Sequence, residues 1–208
     1  AFDWDYYTGA GGSLWITAGA VEGIGVFRAN GGAVTGYTPG AGGRIALTVT
    51  NAGATIGAFQ GAFEARGGAL GSSYRDRIAG AGTIYLRNAD QAWNEGTLLI
   101  DNDGMASTTR WTPIVPEVAG RDFGAVVLRD GATLRLAENE RVAVSGGWSN
   151  TNGLLLAENG SEVALVGGGT VAIDGTSTFH RLTCEVPGMN VAFGADSFTR
   201  IASNGFFL

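Results

Sequence analysis

The chain has 208 residues, a net charge of −6, 36 glycines and a single cysteine, and its 13 basic residues are all arginine. Arginines scattered singly over an acidic chain exclude the basic stripe of a nucleic-acid binder and argue against an anionic membrane surface. One cysteine excludes an intrachain disulfide and any CxxC metal site, while a hydrophobic content of 45% provides a core and sets the chain apart from disordered sequences.

In chain order, Ala1 leads into the aromatic stretch Phe2-Asp3-Trp4-Asp5-Tyr6-Tyr7, a start that fits cleavage after a small residue or a trimmed chain. Gly9-Ala10-Gly11-Gly12 then feeds Ser13-Leu14-Trp15-Ile16, where Leu14 and Ile16 share one face of a strand. The phrase returns as Gly40-Ala41-Gly42-Gly43 before Arg44-Ile45-Ala46-Leu47, and again, one residue shorter, as Gly80-Ala81-Gly82 before Thr83-Ile84-Tyr85-Leu86. Between the copies, Ala29-Asn30-Gly31-Gly32 matches Ala65-Arg66-Gly67-Gly68. These glycines read as corners that need positive φ. Residues 91–120 carry Pro113 and Pro116 and read as a loop or excursion. Beyond it the rhythm continues with less glycine. Val126–Arg129 and Thr133–Leu136 flank Asp130-Gly131, Leu154–Ala157 and Glu162–Leu165 flank Asn159-Gly160, and Thr170–Ile173 leads to Asp174-Gly175. Asp-Gly and Asn-Gly also suit hairpins, but short, similar strands recurring in a unit of about 30 to 40 residues point to corners of a stacked coil.

No window of the chain keeps a helical period free of glycine. The predicted fold is therefore all-β, a single-stranded, right-handed parallel β-helix (β-solenoid) of about seven to nine coils. It forms one domain over 1–208, with glycine-rich coils at 1–90, the excursion at 91–120 and regular coils at 121–208.

The phrases Gly11–Gly19, Ala29–Gly32 and Gly42–Ala46, with the ending Phe179-His180-Arg181-Leu182-Thr183 and Pro187–Ala195, resemble the repeats of glycine-rich parallel β-helix domains in large bacterial secreted surface proteins, adhesin-like and autotransporter-like. The resemblance implies an extracellular, cell-surface setting and brings no catalytic motif. Poverty in cysteine and lysine suits the same setting.

The expected function is structural or adhesive, a surface fibre or stalk, with no enzyme activity, no cofactor and no membrane insertion. The alternative is a carbohydrate-binding or polysaccharide-degrading β-helix. Expected partners are copies of the chain stacked end to end or neighbouring domains of a larger protein, with polysaccharide in the alternative. End stacking is assigned to Phe2, Trp4, Phe206, Phe207 and Leu208, because a bare hydrophobic end strand invites a partner. Contact with a ligand or partner is assigned to Trp15, Tyr85, Trp93 and Trp111, since exposed aromatics are enriched at interfaces and stack on sugar rings. Trp15 and Tyr85 hold equivalent repeat positions, both outward by alternation, with Ala46 between them. Asp101 and Asp103, in Asp-Asn-Asp-Gly, offer a weak calcium site, an acid–base pair, or simply an Asx-capped turn.

Asp130, Glu158 and Asp174 would form a carboxylate column if they stacked in register. Arg44 and Arg66 are expected to pair with Glu64 or Glu22 across coils. His180, the only histidine, reads as a surface or partly buried imidazole, and Cys184 as a small buried hydrophobe. Gly-Ala-Gly-Gly lacks the Lys-Ser/Thr of a phosphate loop.

Overall fold

Alternation of apolar and polar residues makes short strands throughout, and these pair mainly with strands one repeat away, in parallel. The computed structural model describes residues 8–33, 38–69, 78–114 and 121–202, and the backbone of 206–207. Among them are 17 strands and one 3₁₀ turn, Ile56–Ala58.

The first half holds β1 (Ser13–Ala18), β2 (Val26–Arg28), β3 (Arg44–Val49), β4 (Ala62–Glu64) and β5 (Thr83–Arg87). β1, β3 and β5 lie side by side in parallel, with Ser13 opposite Arg44 and Arg44 opposite Thr83, so the three glycine phrases arrive at one level. β2 pairs with β4, and below them Phe27, Phe59 and Phe63 cluster with ring centroids 5.2–5.4 Å apart. This limb lengthens each repeat of the first half to the expected 30 to 40 residues.

The second half holds β6 (Thr97–Asp101), β7 (Thr112–Pro113), β8 (Asp122–Arg129), β9 (Thr133–Leu136), β10 (Arg141–Thr151), β11 (Leu154–Ala157), β12 (Glu162–Leu165), β13 (Thr170–Phe179), β14 (Arg181–Cys184), β15 (Asn190–Phe193), β16 (Phe198–Ile201) and β17 (Phe206–Phe207). β6, β8, the end of β10, the start of β13 and β15 form one wall. The start of β10 with β12, β14 and β17 forms a second. A third contains β7, β9 and β11, with the end of β13 paired to β16. Without a limb the repeat shortens, and Val126, Trp148, Ile173 and Phe193 succeed one another at one position every 20 to 25 residues. The Asp130-Gly131 and Asn159-Gly160 turns join strands of different walls, so they are corners and not hairpins. Asp130, Gly131 and Gly160 adopt φ of 50°, 79° and 74° there.

The halves meet where β5 pairs with β6 antiparallel, Tyr85 opposite Leu98. One row of residues crosses eight strands without interruption: Trp15, Ala46, Tyr85, Leu98, Val126, Trp148, Ile173, Phe193. It starts in solvent at Trp15, is buried from Leu98 to Ile173, and returns to solvent at Phe193. The adjacent row does the reverse. Leu14, Ile45, Ile84, Leu99 and Val127 pack in the first core, and the row continues into polar Ser149 and Asp174. The core thus changes sides of a continuous sheet at the β5–β6 seam. Thr97–Asp101, expected within the 91–120 excursion, is instead a central strand, with Leu98 and Leu99 buried on opposite faces.

The repeat glycines need correction too. Positive φ occurs at Gly23, Gly53, Gly104, Gly131, Gly160, Gly175 and Gly188, and at none of the described glycines of the repeated phrases. Most of those glycines are points of close approach, Gly9 and Gly12 of the first phrase excepted. Gly43 N–H donates to Ala29 O at 2.7 Å, Gly82 N–H to Ala65 O at 2.6 Å and Gly68 N–H to Gly40 O at 2.8 Å, so the two kinds of phrase interleave backbone to backbone. A Cβ on Gly42, Gly43, Gly67 or Gly82 would lie within 3.0 Å of a backbone atom opposite. This part of the interior is filled with peptide groups instead of side chains.

Candidate contact face

The outward residues of β1, β3 and β5 form three rows: Ser13–Arg44–Thr83, Trp15–Ala46–Tyr85 and Thr17–Thr48–Arg87. The shared position expected for Trp15 and Tyr85 is present in the register, but their surroundings differ. Trp15 is 87% exposed. Tyr85 is half-buried: its hydroxyl donates to Trp93 O and accepts from Gly96 N–H at 3.2 Å, and its ring lies 6.4 Å from Phe123. Burial pushes its phenol pKa up. The cause is the turnover of the core, since the outward row of the first half becomes the inward row of the second just beyond Tyr85. The reading of Tyr85 as an open platform is corrected accordingly; it holds the Trp93 loop, where Trp93 itself is exposed. Trp111 lies elsewhere. Its ring faces the Arg135 guanidinium at 4.8 Å on the third wall, and Arg135 also pairs with Glu158 at 2.6 Å.

The acidic candidates are already engaged. Asp101 accepts from Arg129 Nε at 2.7 Å and from Asp103 N–H at 2.8 Å, and Asp103 pairs with Arg66 at 3.0 Å. The described residues contain no group of three metal-ligating side chains. Asp101 and Asp103 form an Asx turn tied to Arg129 and Arg66. Glu158 serves Arg135, Asp130 lies 3.7 Å from Arg129, and Asp174 stands opposite Ser149, so these three carboxylates form no column. Arg66 pairs with Asp103 instead of a glutamate, and Glu64 takes Arg28 at 2.8 Å and Asn30 Nδ2 at 2.8 Å. Those two donors hold the Glu64 carboxyl below the usual carboxylate range. His180 is partly buried between β13 and β14. Cys184 is partly buried, its thiol pKa pushed up by desolvation.

Of the end-stacking residues, Phe2, Trp4 and Leu208 lie outside the described residues. Phe206 and Phe207 form β17, which pairs with β14 at Leu182 and Thr183. Sequence reasoning missed a different apolar end. Phe193, on the inward row, is 54% exposed, and with Cys184, Glu185, Pro187, Met189 and Val191 it lines an open groove. The signal was the alternation of Val191 and Phe193, which assigns both to the core.

Comparison of the chain with protein-family models, with curated proteins and with solved structures finds no match. Among the described residues, no helix is long and apolar enough to cross a membrane.

Proposed function

We propose that the chain is an extracellular β-solenoid with a structural or adhesive role at a cell surface, associating end to end with copies of itself or with neighbouring domains. The observation that carries this reading is the inward row of the second half. Val126, Trp148 and Ile173 are at most 1% exposed, yet the next residue of the same row, Phe193, is 54% exposed. A core column left open along the stacking direction is satisfied by another coil. When the partner is the opposite end of a second molecule, the contact is heterologous and does not close, so a fibre results. In this reading the chain is a rod and not an enzyme. Strand direction and inner face reverse together at the β5–β6 seam, so both halves wind with the same hand. The glycine phrases, in which the sequence resembles large secreted surface proteins, and the all-β architecture support this reading.

Light scattering over a concentration series, beside negative-stain microscopy, tests the reading. Particles should lengthen with concentration, and Phe193→Asp should stop growth without changing the β-sheet signal in circular dichroism. Monodisperse short rods at every concentration would overturn end-to-end association.

A further inference from the structure

We propose that the outward face of β1, β3 and β5 binds an acidic polysaccharide, with Trp15 stacking on a sugar ring and Arg44 and Arg87 meeting its carboxylates. This face is independent of the open groove at Phe193. The charge pattern is the first argument. The chain carries −6 overall, yet β1, β3 and β5 contain no aspartate or glutamate, and their outward rows present two arginines. Arg44 is exposed and makes no ion pair among the described residues, whereas Arg28, Arg66, Arg121, Arg129, Arg135 and Arg141 all have carboxylate partners. Arg87 spends one N–H on Gln91 O at 3.2 Å.

The second argument is the kind of surface around the charges. Trp15 is 87% exposed, with Ser13 and Thr17 two positions either side of it on the same face of β1 and Thr48 opposite Thr17 on β3. One aromatic plane amid hydroxyls and guanidinium groups suits a ligand with an apolar ring face, a rim of hydroxyls and a carboxylate, as in a uronic acid. Ala46 leaves a gap between Trp15 and Tyr85 two strand spacings wide, about 9.6 Å at the backbone.

Size is the third argument. The open part, the outward residues of β1 and β3 up to the loop that covers Tyr85, spans at most roughly 200 Å², well below the roughly 800 Å² per partner of a stable protein interface. A few sugar rings fit that area.

Titration calorimetry with an oligogalacturonate and its neutral methyl ester is the test. The acid form should bind, with an affinity that falls as salt rises, and the ester should bind about tenfold more weakly. Trp15→Ala and Arg44→Gln should each weaken the acid form about tenfold while leaving the unfolding midpoint unchanged. Trp111→Ala, on another wall, should leave binding unchanged. Absence of heat with the acid form, equal affinity for acid and ester, or full affinity in Trp15→Ala would each overturn the proposal. Filament growth is read separately, so failure here leaves the end-stacking proposal standing, and the reverse holds.

Discussion

The carboxamide of Asn102 stands in for a peptide group towards Gly67. Its Oδ1 accepts the Gly67 N–H at 2.8 Å, and its Nδ2 donates to Ala79 O at 3.3 Å and to Met105 O at 2.6 Å. In the preceding repeat Gly31 N–H donates to a true peptide oxygen, Arg66 O, at 2.9 Å. Asn102, 1% exposed, thus closes the interleaved glycine stack where the next glycine phrase is missing. Asn102→Ala strands the buried Gly67 N–H and takes a donor from two carbonyls, Ala79 O and Met105 O, and should cost about 2–4 kcal/mol of stability in urea unfolding. Asn102→Asp keeps the acceptor but buries a charge, so its loss should be greater at neutral than at acid pH. A change below about 0.5 kcal/mol in Asn102→Ala would show that water supplies the same bonds.

The glycine stack makes a graded prediction. Gly12, Gly43 and Gly82 precede β1, β3 and β5 at equivalent positions. A Cβ at Gly12 meets nothing within 4 Å, but one at Gly43 or Gly82 collides with the backbone of the previous repeat. Gly12→Ala should be close to neutral. Gly82→Ala should lose about 3 kcal/mol or more, or fail to fold, because backbone cannot step aside as a side chain can. Paired thermal melts decide it; equal midpoints would rule out backbone close packing as the reason for these glycines.

In the second half the buried anchor is Trp148, whose Nε1–H donates to Ser177 Oγ at 2.9 Å and whose ring meets Phe179 edge-on at 5.2 Å. Trp148→Ala should cost about 3–5 kcal/mol. Ser177→Ala leaves the indole N–H unpaired and also removes a partner of Asn150, so it should cost about 1–3 kcal/mol. Chemical denaturation of both variants checks this order.

Acid should destabilise the fold through two surface pairs. Arg28 and Asn30 hydrogen-bond Glu64, Arg135 hydrogen-bonds Glu158, and both carboxyls are held below their ordinary value of 4.5. A folded-state pKa below the unfolded one stabilises above the unfolded value, and that contribution disappears as pH falls through the folded value. The melting temperature should therefore fall as pH drops below about 4.5, and less steeply in a Glu64→Gln/Glu158→Gln double variant. The pairs are exposed, so 1 M salt should flatten the difference. An unchanged acid limb in the double variant would assign it to other carboxylates.

Strands with one solvated face were legible in the sequence, because Ile45-Ala46-Leu47-Thr48-Val49 or Thr83-Ile84-Tyr85-Leu86 alternate with period two. β6 was not. Leu98-Leu99-Ile100 is a continuous apolar run, the mark of a strand buried on both faces, and it sits among turn-forming residues. The glycine phrases were legible as a repeat but not in their role, since a left-handed corner and a backbone close approach both demand glycine. Trp15 and Tyr85 show the limit for the candidate face. Register assigns them the same outward side, but only the antiparallel partner of β5 reveals that this side is covered at Tyr85 and open at Trp15.

The turnover of the core at β5–β6 has a mechanical consequence. Pulled along the stacking axis, the ladders between successive strands carry the load in series, so the weakest ladder sets the strength. The seam has three paired positions, against six between β1 and β3 and five between β6 and β8. It is also the place where side chains grip the sheet from both sides, Leu99 and Val127 in one core and Leu98 and Val126 in the other. To part there, the chain must open two hydrophobic cores at once, and a short ladder becomes a double-riveted joint.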